Sequence, residues 1–126
     1  MKAEIKDISC DYFDLSTYTP IDPESFSFPL FVTVGTEFAE GEDLFYIQVC
    51  TPKWILENHC REDVIIGRHY LIVMEYDYAR IIQTITAFCS QWEASTWPEL
   101  AEKLGRLGQW EFEDHQEQRP GEPWSA

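Results

Sequence analysis

The 126-residue chain is 44% apolar and 15% aromatic, which excludes a wholly disordered chain and predicts one folded domain. Its 23 acidic residues outnumber nine basic ones, and the net charge of −14 disfavours nucleic acid or an anionic membrane as a partner. We expect the domain to span residues 1–126, with a core over about 2–114 and a frayed tail over 115–126.

The first half of the chain predicts strands. "AEIKDISCDYF" favours a first strand, and the Pro-containing "DLSTYTPIDPES" favours a loop. "SFSFPLFVTVG" and "LFYIQVC" alternate apolar and polar residues, which predicts an antiparallel hairpin. Pro29 lacks an N–H group, so we expect its strand to lie at a sheet edge or to be bulged there. The inward-facing residues of the hairpin are predicted to be Phe26, Phe28, Leu30, Val32, Val34, Phe45, Ile47 and Val49.

The second half predicts helices around one more strand. Thr51 and Pro52 are typical of a helix start, as are Asp77 before "YARIIQTITAFCSQW" and Thr96 before "WPEL". The apolar run "YLIVM" favours a well-buried strand, and "QWEFED" a short final one. The order predicts an α+β fold, in which a twisted antiparallel sheet of about four or five strands packs against two main helices in the C-terminal half.

Two cysteines and two histidines occur close together in the sequence: Cys50, His59, Cys60 and His69. Zinc ligands normally come as close pairs separated by two to four residues, and this spacing lacks such pairs. Cys60 and His69 could form a nucleophilic pair, but no glycine-rich elbow precedes either cysteine. We therefore predict no catalytic residue, no metal and no cofactor, while a small Cys/His hydrolase stays an alternative.

The acidic residues are unevenly distributed. No Lys or Arg occurs between Lys6 and Lys53, a segment that holds nine acidic residues. Solubility is one explanation, and a face shaped for a basic partner is the other. The aromatic Phe38 lies between acids in a predicted loop and is the candidate anchor of such a face. The candidate binding residues are Asp11, Asp14, Asp22, Glu24, Glu37, Phe38, Glu40, Glu42 and Asp43.

A series of motifs resembles the immunity protein 8 family, whose members are encoded beside bacterial polymorphic or contact-dependent toxins. The resemblance covers residues 25–114, and its motifs are "FSFPLFVTVG", "VCTPKWI", "GRHYLIVMEYD" and "TWPELAEKLGRLGQWEFED". They carry scaffold residues, with Gly67 expected to permit a sharp turn into a strand and Arg68 to pair with a carboxylate of "EFED". The scaffold residues are Trp54, Gly67, Arg68, His69, Trp110 and Phe112.

The resemblance implies a cytoplasmic protein that binds the C-terminal domain of one cognate toxin and neutralises it without catalysis. A nuclease toxin would hold nucleic acid on a basic surface, which an acidic inhibitor could cover. An α+β interaction module without a toxin partner stays a second alternative. The sequence leaves the oligomeric state open.

Overall fold

The structure is a computed structural model, and it describes residues 1–37 and 41–113. The element order is β1 (Ala3–Ser9), β2 (Ser27–Thr36), β3 (Glu42–Cys50), α1 (Pro52–Asn58), β4 (Tyr70–Ile72), α2 (Tyr78–Ser90), α3 (Trp97–Leu104) and β5 (Gln109–Trp110). The α+β prediction is confirmed. The tail over 115–126 lies outside the described residues.

The sheet is mixed rather than wholly antiparallel. Its strand order is β1-β2-β3-β4, and β5 pairs with β3 beside β4. The β1–β2, β2–β3 and β3–β5 pairs are antiparallel, whereas β4 runs parallel to β3. The parallel pair follows from connectivity, because α1 and the segment over 59–69 carry the chain back alongside β3, so that β4 begins opposite Gln48 and runs in the same direction.

One face of the sheet holds the core. All eight hairpin residues predicted to face inward are buried. They pack with the buried faces of the two C-terminal helices, which are Ile81, Ile85 and Cys89 in α2 and Leu100, Ala101 and Leu104 in α3. Trp92, Trp97 and Trp110 are half-buried and pack against this core, and Trp54 is half-buried in α1.

Pro29 does not lie in an edge strand, because β2 is flanked by β1 and β3. Pairing of β2 with β1 begins only at Phe31, opposite Ser9, so Pro29 precedes the part of β2 that has a β1 neighbour. A missing N–H therefore costs no ladder bond at that position. The bulge falls in β1, where the register shifts between Ile5 and Asp7.

Each helix begins at a residue that the sequence predicts. The side chains of Thr51, Asp77 and Thr96 accept hydrogen bonds from the N–H groups of Trp54, Arg80 and Glu99. Thr51 is fully buried, and its hydroxyl also accepts from the N–H of Phe26 at 3.2 Å. This one side chain therefore starts α1 and fixes the beginning of β2.

The segment before β4 contains the predicted sharp turn. The turn spans residues 67–70 and is closed by a hydrogen bond from the N–H of Tyr70 to the carbonyl of Gly67, and its residue with positive φ is His69, at 67°. The Nε2 atom of His69 lies 2.8 Å from the carbonyl oxygen of Gly105, which holds the strained residue against the end of α3. The "YLIVM" run is not a well-buried strand, since β4 has three residues and Ile72 and Met74 are exposed.

The pairing of Arg68 with "EFED" is confirmed. Its guanidinium donates hydrogen bonds to both carboxylate oxygens of Glu113. This bidentate pair joins the segment before β4 to the segment after β5. Phe112 packs edge-on against Trp110, with 5.7 Å between ring centroids.

Candidate functional site

The predicted acidic residues lie at opposite ends of the sheet. Asp11, Asp14, Asp22 and Glu24 belong to the β1–β2 loop, whereas Glu37, Glu42 and Asp43 surround the β2–β3 turn. The β2 strand that separates the two ends has ten residues, which corresponds to about 30 Å of extended chain. The predicted acidic residues therefore form two surfaces rather than one. Phe38 and Glu40 lie outside the described residues.

The β1–β2 loop is anchored to the core despite its length. Leu15 is buried, and the rings of Phe13 and Tyr18 stack with their centroids 3.7 Å apart. The N–H of Tyr76 donates to the carbonyl of Pro23 at 2.7 Å, which ties the loop to the segment before α2. The loop thus presents its carboxylates on a fixed backbone, which limits the entropy lost when a partner binds.

Two carboxylates of this loop are held by local donors. Asp14 accepts from the hydroxyl and the N–H of Ser16 at 2.7 and 3.0 Å. Asp22 accepts from the ammonium of Lys53 at 2.8 Å and from the N–H of Glu24 at 2.9 Å. Hydrogen bonds from the Ser16 side chain and from Lys53, respectively, lower the pKa of Asp14 and of Asp22 below the usual value. Both groups are therefore ionised at neutral pH.

A groove of about 400 Å³ opens at the same end of the sheet. It runs between the segment over 71–75 and the first turns of α2, and Glu24 reaches it from the β1–β2 loop. Two apolar side chains in its wall are exposed, Ile72 by 52% and Met74 by 72%. The groove therefore brings together apolar surface and carboxylates.

Further apolar side chains are exposed in the segments that meet at this end. Tyr12 and Ile21 lie in the β1–β2 loop, Leu56 in α1 and Tyr78 at the start of α2. Exposed apolar side chains are typical of protein-binding surfaces where they form a contiguous patch rimmed by polar residues. We name this end of the molecule, with the β1–β2 loop, the groove and these side chains, the loop-end surface.

Sequence reasoning missed the apolar part of the loop-end surface. The uncharged run "YLIVM" is indistinguishable from a buried strand until its partners are known. Ile21, fully exposed between Pro20 and Pro23, carried no clearer signal, since Leu15 of the same loop is buried.

At the opposite end, Asp43 is a structural carboxylate. Its Oδ2 atom accepts hydrogen bonds from the indole N–H groups of Trp97 at 2.6 Å and Trp110 at 3.0 Å. These bonds connect β3 to α3 and to β5. The sequence predicted that Asp43 contributes to a binding surface, but its carboxylate already accepts hydrogen bonds from two tryptophans within the fold.

The cysteines and histidines do not converge. Cys50 is fully buried, and His69 contacts Gly105 rather than Cys60. The thiol of Cys60 donates to Oδ1 of Asp63 at 3.1 Å, and Nδ1 of His59 lies 3.1 Å from Oδ2. These contacts, led by the Cys60 thiol, lower the pKa of Asp63. Within residues 1–37 and 41–113, no group of three or more His, Cys, Asp or Glu side chains could hold a metal ion.

The fold and these surfaces define an α+β protein that presents a rigid face of mixed acidic and apolar character. A comparison with protein-family models matches residues 3–115 to immunity protein 8. The chain belongs to the immunity protein 8 family, which implies a protein toxin as its partner. The match includes β1 and the β1–β2 loop, beyond the resemblance that begins at residue 25. Comparisons with curated proteins and with solved structures give no significant match.

None of the helices among the described residues is long and apolar enough to span a membrane.

Proposed function

We propose that this immunity protein neutralises a nuclease toxin by covering the toxin's phosphate-binding surface with the loop-end surface. The observation that carries the proposal is that exposed carboxylates and exposed apolar side chains occur together there. Asp11, Asp14 and Glu24 are exposed, and so are Tyr12 and Ile72.

The two kinds of side chain would contribute differently. Carboxylates attract a basic surface over a distance, which raises the association rate and selects the partner. Apolar side chains that become desolvated supply most of the affinity, and hot spots of this kind lie at the centre of an interface. Ile72 and Met74 in the groove are candidates for that centre, with the loop carboxylates as its rim.

Inhibition by binding requires no catalytic group in the immunity protein. Cys60 and His69 are each engaged elsewhere, with Asp63 and Gly105. We propose that the protein acts in the cytoplasm, where its four cysteines stay reduced. Its net charge of −14 suits a partner whose own surface must hold phosphate.

The decisive test is calorimetric titration with the toxin C-terminal domain encoded immediately upstream, made at low and at high salt. We expect tight one-to-one binding that weakens as salt screens the carboxylates. A parallel assay should measure loss of the toxin's nuclease activity at the same stoichiometry. Absence of binding at both salt concentrations would overturn the proposal. Salt-independent binding would keep the toxin partner and remove the electrostatic interface.

A further inference from the structure

The outer edge of β4 has main-chain groups that do not bond to β3. The carbonyl of His69 accepts from the N–H of Gln48, and the N–H of Val73 donates to the carbonyl of Cys50, both at 3.0 Å. In a parallel ladder, alternate residues of a strand bond to the same neighbour. The N–H and C=O groups of Ile72 therefore point away from β3. Within the described part of the chain, β4 pairs with no other strand.

Apart from its length of three residues, this edge lacks the features that normally prevent pairing with another chain. Edge strands are usually interrupted by charged residues, proline or a bulge. The opposite edge of the same sheet, β1, carries Glu4, Lys6 and Asp7 and is bulged between Ile5 and Asp7. The edge over 70–74, "YLIVM", has no charged residue and no proline. Such an edge is an aggregation hazard unless a partner covers it.

A groove lies next to this edge. Residues 71–75 line it consecutively on one side, and Arg80 and Thr84 of α2 line the other. Ile72 ends β4, and Met74 lies two residues further on, in the bend that follows; both line the groove. An added strand would thus meet main-chain partners and two apolar contacts together, as in β-strand addition.

The charges of the groove select a basic occupant. Glu24, Glu75 and Asp77 line the groove, and Arg80 is the single basic residue among its lining residues. A second copy of this chain would bring the same acidic rim and a further net charge of −14, so that charge repulsion opposes self-pairing. A segment from a toxin's phosphate-binding surface would carry positive charge, which complements the acidic residues of the groove.

From these observations we infer that β4 accepts an extended basic segment of the toxin domain as an additional strand, with Ile72 donating and accepting main-chain hydrogen bonds. The inference rests on the proposed function, since the occupant belongs to the toxin. It specifies the mode of binding at the loop-end surface.

Two substitutions at one position separate the main-chain contribution from the side-chain contribution. Ile72→Ala removes the side chain and keeps the N–H, whereas Ile72→Pro removes both. Proline is tolerated at an edge position whose N–H faces out of the sheet. In titrations with the toxin C-terminal domain, we expect Ile72→Pro to bind at least about tenfold more weakly than Ile72→Ala, because a hydrogen bond and its geometry are lost. Equal affinities of the two folded variants would overturn the inference.

Amide hydrogen exchange of the unmodified protein gives a second test, which holds even if Ile72→Pro fails to fold. The amide of Val73, bonded to Cys50, should be protected with and without toxin. The amide of Ile72 should exchange rapidly in the free protein and become protected in the saturated complex. Val73 is the internal control.

The outcomes distinguish the two proposals. If the toxin domain binds and Ile72 stays unprotected, strand addition is wrong and the proposed function stands. If the unmodified protein does not bind the toxin domain, the proposed function fails and the inference fails with it. If Ile72 becomes protected without toxin while the protein sediments as a dimer, a second copy occupies the edge and the inference is overturned.

Discussion

The carboxylate of Asp43 accepts a hydrogen bond from the indole N–H of Trp97 at 2.6 Å, across 54 positions of the chain. The same oxygen accepts from the indole of Trp110. One side chain at the start of β3 thereby holds α3 and β5 against the sheet. The indoles are half-buried, so loss of their acceptor would leave two N–H groups with limited access to water.

Replacing Asp43 by Ala should lower the free energy of unfolding by about 2 kcal/mol, since two charge-assisted hydrogen bonds are lost at a partly exposed site. Asp43→Asn keeps one amide oxygen as an acceptor and should cost about half as much. Urea unfolding of both variants measures the difference. Glu42→Ala, next to Asp43 and exposed, is the matched control and should stay within about 0.5 kcal/mol. A loss for Asp43→Ala no larger than the control's would show that the two bonds add nothing.

The core could be predicted from the sequence because the patterns that indicate it involve residues close together in the chain. The period-two alternation from Phe26 to Val34 identifies the buried face of β2 without knowledge of any partner. The helix starts at Thr51, Asp77 and Thr96 also depend on a few neighbouring residues. The pairing of Arg68 with Glu113 of "EFED" joins distant parts of the chain, and its prediction relied on the position of Arg68 at the start of a strand.

The loop-end surface could not be predicted from the sequence, because it is formed by contacts between distant parts of the chain. The sequence does not distinguish a carboxylate that faces solvent from one that accepts hydrogen bonds inside the fold. Glu42 is of the first kind and its neighbour Asp43, which bonds to two indoles, is of the second. The groove joins Glu24 to Ile72 and Met74, almost fifty positions later in the chain. The separation of the acidic residues into two groups required the strand register, which assigns the β1–β2 loop and the β2–β3 turn to opposite ends.

The lowered pKa of Asp63 gives a pH-dependent contribution to stability. A carboxyl group whose folded pKa lies below its unfolded value, about 3.9, favours the folded state above that value. The contribution is lost as the pH falls through the folded pKa. Asp63→Asn should therefore unfold at a lower urea concentration than the unmodified protein at pH 7, and the two midpoints should converge below about pH 4.

The Asp63→Asn variant and the unmodified protein should be compared at each pH. Repulsion among the other acidic groups changes with pH in the same way in both proteins, so the comparison cancels it. Asp7→Asn is the control, because Asp7 is exposed. A gap between the midpoints that stays constant from pH 7 to pH 3 would contradict the assignment.

The four cysteines should differ in reactivity. Cys60 is exposed, whereas Cys10, Cys50 and Cys89 are buried. Burial raises the pKa of Cys89 to about 11 and also raises that of Cys50, so neither forms the reactive thiolate at neutral pH. A disulfide exchange reagent should therefore titrate one thiol rapidly in the native protein and four after denaturation. Rapid reaction of more than one native thiol would contradict the burial of the others.

Cys60→Ala tests the alternative of a Cys/His hydrolase. Because neutralisation by binding needs no nucleophile, this variant should inhibit the toxin at the same stoichiometry as the unmodified protein. Complete loss of protection by a folded Cys60→Ala protein would favour catalysis instead. The matched control is Ser90→Ala, which removes a hydroxyl from an exposed helix position in α2.

The two acidic ends of the sheet can be compared directly by matched charge reversals. Asp11→Lys with Glu24→Lys changes the loop-end surface, and Glu37→Lys with Glu42→Lys changes the opposite end. All four residues are exposed, and each pair shifts the net charge by four, from −14 to about −10. Any difference between the two variants therefore reports position rather than total charge. Asp43 is left unchanged because of its structural role.

We expect the loop-end variant to bind the toxin domain about tenfold or more weakly at low salt, mainly through a slower association rate. The opposite-end variant should stay within about threefold of the unmodified protein, since charges about 30 Å away are screened beyond the Debye length. Stopped-flow association rates at two salt concentrations measure both effects. The larger loss in the opposite-end variant would move the interface to the β2–β3 turn, and equal losses would leave only a non-specific effect of net charge.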